Sequence, residues 1–407
     1  MWIKRDIENI WARIPVLPVR ILKGIRQCGK SSLLAELAGE DRLHITLDDL
    51  SMRQTAESDP NLFFEQYPWP LIIDEVQYAP NLFSEIKRRV DAQRLAQRKA
   101  FVKITPERVT SIWLTGSNQI LLDKHVRESL AGRAQYFTLH TLSISELSSG
   151  MAGFFLRDIF LRGGWPELYI NPELDPVRYL NDYIQTYLEK DIVLSAGIQK
   201  VAAFSKALGL LAARTGTPFN ASQIAAVCGV KSVTIQEWTS ALEKNLIVQL
   251  IPGYHSNINK RLIKEPRLYF LDTGLCSRLQ GWSTAEPLLN SPQIGLLFET
   301  MVLGEVVRTR DHFLKDWRIF YWRTKEGEEV DFLVQSPIGK IVAIEVKMSM
   351  SAASKLVLPE GLKKAFPELK KLSVVTYAGS QKKINTDCVQ IPITELKDYL
   401  LSELSEA

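Results

Sequence analysis

GIRQCGKS, residues 24–31, is preceded by the apolar run VRILK (19–23) and followed by the apolar-periodic segment SSLLAELAG (31–39). Together they read as strand, loop and helix, and the loop matches G-x-x-x-x-G-K-[ST] in the setting that a phosphate-binding loop requires. Gly24 and Gly29 let the backbone curl, so that successive N–H groups face inward at the positive end of the following helix. Ile25, Arg26, Gln27 and Cys28 complete the cradle, with Ser32 at its far edge. Lys30 is spaced to reach the β- and γ-phosphates, and the Ser31 hydroxyl to ligate Mg²⁺. The predicted ligand is ATP with Mg²⁺.

Working outward, PWPLIIDEVQYAP (68–80) reads as a buried strand ending in adjacent acids. Asp74 is expected to hold the magnesium through water, and Glu75 to orient and deprotonate the attacking water. A third strand, SIWLTGSN (111–118), ends in small polar residues. Ser117, with Asn118 as second choice, is expected to sit between the acidic strand and the γ-phosphate. RESLAGRAQYFTLHTLSISEL (127–147) brings Arg127 and Arg133 after a short helix. Arg133 is either a finger onto the γ-phosphate of a neighbouring subunit, which implies a homo-oligomer, or a salt-bridged surface arginine.

The chain has 407 residues, 46% hydrophobic and 24% charged, which implies a soluble globular protein of roughly two to four domains. No apolar run is long enough for a membrane span, and MWIKRDIENIWARI reads as an amphipathic helix rather than a signal peptide. Cys28, Cys228, Cys276 and Cys388 are scattered without metal-ligand spacing, which fits a reducing cytoplasm. The net charge of +4 says little about partners. Basic stripes at 87–108 and 260–267 could follow the phosphate backbone of DNA, or could be solvated faces.

Residues 156–215 look helical. From 219, NASQIAAVCGVKSVTIQEWTSALEKNLIVQLIPGY has the spacing of a winged helix-turn-helix, with helices at 222–228 and 232–244, a turn at Gly229 and a strand at 246–251. Lys231, Ser232, Thr234 and Gln236 lie on the leading turns of the second helix, and the wing falls near 252–267. A winged helix used for protein contacts has the same pattern.

The segments GIRQCGKSSLL, LIIDEVQ, WLTGSN, ESLAGRA, FLRGGWPE, RLYFLDTGL, FETMVLGEV, YWRTKEGEEVDFLV and IEVK resemble a group of bacterial and archaeal AAA+-like ATPases with a C-terminal region of the DUF4143 type. The likeness covers nearly the whole chain. Ile25 and Cys28 stand where relatives carry Pro and Val, and the segment near 93–110 is an insertion. The likeness implies a lid or bridge after Gly164. In EEVDFLVQSPIGKIVAIEVK (328–347), read as a hairpin, Glu345 and Lys347 share a face. With Asp331 and Glu299, which sits in the helical run 295–308, this arrangement resembles PD-(D/E)XK nucleases. There Asp331 and Glu345 would bind Mg²⁺ with help from Glu299, and Lys347 would stabilise charge on the scissile phosphate.

The expected fold is α/β throughout. A P-loop NTPase (AAA+) parallel-sheet domain spans 1–150, a helical lid or bridge 151–215, a winged helix 216–266, and a restriction-endonuclease-like α/β domain 267–407. The leading expectation is a DNA-associated ATPase. The alternatives are an ATP-switched regulatory or toxin–antitoxin-like protein, and an ATP-dependent endonuclease.

Overall fold

The computed structural model describes residues 2–14, 17–40, 42–99, 111–117, 120–122, 129–255, 265–349 and 356–405. Residues 100–110 of the insertion expected near 93–110, Asn118, Arg127 and most of the second basic stripe therefore lie outside the described residues.

Five parallel strands form the first sheet: β1 (Val19–Gly24), β2 (Leu43–Thr46), β3 (Leu71–Asp74), β4 (Ile112–Gly116) and β5 (Ala134–Leu139), in the order β2-β3-β4-β1-β5. The central strands β1, β3 and β4 are buried on both faces, as strands covered on both sides must be. Val19, Ile21, Leu71, Ile73, Ile112 and Leu114 turn into one core, while Leu22, Ile72 and Trp113 turn into the other. The amphipathic N-terminal helix Asp6–Arg13 buries Ile7 and Trp11 in the second core. In this order β4 lies between the loop-bearing β1 and the acid-bearing β3, so three strand ends converge on one edge.

A second, three-stranded antiparallel sheet has the order β6-β8-β7, from β6 (Thr217–Pro218), β7 (Val248–Ile251) and β8 (Arg267–Phe270). Between β6 and β7 stand the helices Ala221–Cys228 and Ser232–Lys244. Asn220 caps the first by accepting the Gln223 N–H at 3.0 Å, and Gly229 ends it in the left-handed conformation, φ 67°. A boundary at 267 would divide this sheet, because β8 pairs with both β6 and β7. Arg267–Phe270 belongs with the helix-turn-helix segment.

The third sheet has six strands in the order β13-β14-β12-β11-β10-β9: β9 (Arg318–Arg323), β10 (Glu329–Gln335), β11 (Ile341–Lys347), β12 (Leu372–Thr376), β13 (Lys382–Lys383) and β14 (Cys388–Pro392). β10 and β11 form the expected hairpin, turning at Gly339 with φ 88°. The buried helix Ile294–His312 packs against β5 of the first sheet, β8 of the second and β11 of the third. It ties the three sheets into one body.

Candidate nucleotide site and C-terminal acidic cluster

β1 delivers Gly24 so close to β5 that a Cβ there would lie 2.4 Å from the Leu139 carbonyl oxygen. Only glycine fits. Gly29 adopts φ 95° and starts the helix Lys30–Ala38. Lys30 is buried and arches back over the loop, donating to the carbonyls of Gly24 at 3.1 Å and Ile25 at 2.9 Å. Ile25 and Cys28 turn their side chains into the core, and the Cys28 thiol faces the Leu139 carbonyl at 3.4 Å. These two positions can serve a ligand only through backbone, which explains why a phosphate loop tolerates such side chains there.

The Ser31 hydroxyl donates to the Asp74 carboxylate at the end of β3. Burial pushes the Asp74 carboxyl above its usual range, the Ser31 hydrogen bond pulls it down, and Glu75 adds repulsion. A hydroxyl and a carboxylate in contact are hard oxygen donors of the kind Mg²⁺ takes, so the residues fit that ion. Glu75 holds a left-handed backbone, φ 55°. One of its oxygens accepts both the N–H and the hydroxyl of Ser117, each at 3.0 Å, and also the Gln77 amide. Gln77 fits because β4 ends in Gly116, where a Cβ would lie 2.2 Å from its side-chain oxygen.

A cavity of about 340 Å³ opens over this edge. Gly29, Lys30, Ser31, Ser32, Glu75 and Ser117 form one wall, with Arg26 and Gln27 beside them. The opposite wall comes from Trp2, Ile3 and Arg5 before the first helix, and from Pro166, Ile170 and Tyr179 of the helical middle region. Tyr179 donates its hydroxyl to Gln27 at 2.9 Å, tying the two walls. Pro166, Ile170 and Tyr179 lie in the segment after Gly164 expected as a lid or bridge, whereas no motif pointed to Trp2, Ile3 and Arg5. Arg133 does not line the cavity. It grips Asp91 with two hydrogen bonds, of 2.7 and 2.9 Å, as a salt-bridged arginine of its own chain.

Residues 17–148 match the family model described as AAA domain. Residues 17–148 form an AAA-type P-loop domain. Beyond the AAA domain, residues 154–286 match a domain of unknown function, DUF8612, and residues 294–396 a second one, DUF4143. Uncharacterized proteins of Mycobacterium tuberculosis and Mycobacterium bovis are each 29% identical over 332 residues, 81% of this chain and 70% of theirs. An uncharacterized protein of Methanocaldococcus jannaschii is 21% identical over 92% of this chain and 85% of its own. Among solved structures, a Walker-type ATPase of Pyrococcus abyssi aligns over 68% of this chain and 94% of that one, with 15% identity and a TM-score of 0.41. The RuvB Holliday junction branch migration motor of Thermotoga maritima aligns over 61% and 86%, with 17% identity and a TM-score of 0.25.

In the DUF4143 region, the hairpin register sets Phe332 opposite Ile344, so that Asp331 and Glu345 fall opposite each other on one face. Each charged group already has protein partners. Asp331 accepts the Val346 N–H at 2.8 Å, and Lys347 reaches Glu345 at 2.6 Å. Glu299 accepts the Tyr269 hydroxyl at 2.5 Å and faces Arg267 at 3.8 Å. Burial, then repulsion from Glu299 and Glu345, pushes the Asp331 carboxyl well above its usual range. Burial likewise raises Glu299, against the pull of Tyr269 and Arg267. Burial opposes the charge on Lys347, yet Glu345 holds it above the ordinary lysine value. Glu299, Asp331 and Glu345 do not form a group with all donor atoms within 4.8 Å; among the described residues Asp6, Glu146 and His312 do.

One residue of the second basic stripe needs correction. Arg267 is buried and paired with Glu329 and Glu299, so it is not available to a nucleic-acid backbone. Arg88 and Arg89 are both held by Glu85, and Arg94 donates to the Gly132 carbonyl at 3.1 Å.

Proposed function

We propose that this chain hydrolyses Mg²⁺–ATP, and that its other regions act on DNA in response to the nucleotide. The observation carrying the ATPase reading is the meeting of Lys30, Ser31, Asp74, Glu75 and Ser117 on one wall of the cavity. Lys30 and the loop N–H groups would bear the phosphate charge, and Ser31 and Asp74 would hold Mg²⁺, which neutralises charge on the transferred phosphoryl group. Glu75 takes a proton from water, its carboxylate oriented by Ser117 and Gln77. Phosphate release from ATP, measured with and without DNA, tests the reading. No release in either condition would remove it.

The DNA part rests on the helix-turn-helix, in which Lys231 at the N-cap and Ser232 and Gln236 on the second helix are exposed. Lys231→Glu is expected to weaken binding of a DNA duplex and to reduce the salt slope by about one. Anisotropy titrations at two salt concentrations check this. A native chain that binds no DNA at low salt would instead favour protein docking on this face, where Val227 and Val233 are 46% and 50% exposed.

For the C-terminal cluster we read a nuclease-like fold that no longer cuts, because each carboxylate is already engaged by a protein donor. The expected result is no plasmid nicking above background with Mn²⁺. Nicking that Asp331→Ala removes while ATP turnover persists would establish the endonuclease alternative.

A further inference from the structure

Arg5 is 3% exposed and stands directly before the helix Asp6–Arg13. Its guanidinium donates to the Cys28 carbonyl at 3.0 Å and to the His140 carbonyl at 2.7 Å, and pairs with Glu146 at 3.2 Å. The Cys28 carbonyl belongs to the phosphate loop. In a trans peptide the C=O and the following N–H point in opposite directions. Arg5, by holding the Cys28 oxygen, therefore sets the direction of the Gly29 N–H, one of the groups that would face phosphate.

The same arginine leads to the C-terminal region. Glu146 accepts the Asp6 N–H at 2.7 Å and faces Nδ1 of His312 at 3.6 Å. Nε2 of His312 accepts the His140 N–H at 3.2 Å, which leaves the ring proton on Nδ1, toward Glu146. Beside it, Asp311 meets the His140 ring at 2.7 Å, and Arg308 donates to the Thr141 carbonyl at 3.2 Å. The end of β5 is thus gripped by the last turns of the helix Ile294–His312, whose other end carries Glu299. At 1.5 Å per residue, about 20 Å of rigid helix separates the two ends.

We propose that Arg5 positions the phosphate loop, and that Glu146 and His312 make this hold answer to the helix Ile294–His312, so that nucleotide occupancy and the placement of that helix are coupled. The inference rests on the nucleotide reading above and adds the route by which the DUF4143 region senses it. Two-way coupling requires that each site bias the other equally.

The test uses the full chain, the non-hydrolysable analogue AMPPNP, and hydrogen-exchange mass spectrometry of Ile294–His312 and Glu329–Lys347. AMPPNP should slow exchange in these segments at least about twofold in the native chain. His312→Gln keeps an acceptor near the Nε2 position for the His140 N–H and should retain the response. His312→Phe keeps only ring volume; it should lose the response and bind AMPPNP about fivefold more weakly, near the lower end of usual couplings. Arg5→Lys keeps the charge but cannot span two carbonyls and a carboxylate, so it too should lose the response while melting cooperatively. It decides the matter if His312→Phe does not fold. AMPPNP binding without a C-terminal response in the native chain, or an undiminished response in Arg5→Lys, overturns the coupling alone. Failure of the native chain to bind AMPPNP overturns the nucleotide reading and the coupling together.

Discussion

Glu75→Gln is expected to slow ATP turnover by about 10²–10⁴-fold, the usual worth of a positioned general base, while nucleotide binding stays close to native. The amide is nearly isosteric, and Ser117 can still donate to its oxygen. Asp74 and Ser31 are untouched, so the metal ligands survive. Lys30→Ala should fail differently. It removes a buried ammonium held by two loop carbonyls, and with it charge-assisted bonds to phosphate worth about 1.5–3 kcal/mol. Affinity should fall by at least about tenfold. Phosphate release and fluorescent-nucleotide titration separate the two outcomes. A Glu75→Gln protein that hydrolyses ATP at the native rate would show that the base has been misassigned.

The second large effect concerns stability. Asp272 is buried where three parts of the chain meet. It accepts the Thr141 hydroxyl at 3.0 Å, the Gly164 N–H at 2.9 Å, the Trp165 indole N–H at 3.1 Å and the Leu275 N–H at 3.0 Å, with Arg308 at 3.7 Å. Gly163 lets it approach, since a Cβ there would lie 2.0 Å from the carboxylate. Asp272→Ala strands these donors and removes one counter-charge of a buried arginine. A loss of about 3–5 kcal/mol is expected, a large part of the roughly 5–15 kcal/mol that holds a typical domain folded. Urea denaturation measures it. A shift under about 1 kcal/mol would mean that water or Glu305 replaces the carboxylate at little cost.

The nucleotide site was legible in the chain because its chemistry is local. A strand, a glycine-bounded loop and a helix occupy consecutive residues, so Lys30 and Ser31 are positioned by their immediate neighbours. The acids after LII were legible for the same reason, as were the helix–turn–helix and the β10–β11 hairpin. Hydrophobic period and turn residues suffice for such units. Pairings across long sequence separations were not legible. The pairing of Arg133 with Asp91, 42 residues away, is one of them. Arg267 looked like part of a basic stripe until β8 paired with β7 and brought it against Glu299 and Glu329. Arg5 and His312 carry no motif, and Glu146 reads locally only as the acid of a capping box with Ser143. Their meeting depends on where one buried helix packs against β5, and that choice is made by the summed burial of many apolar side chains rather than by any short pattern.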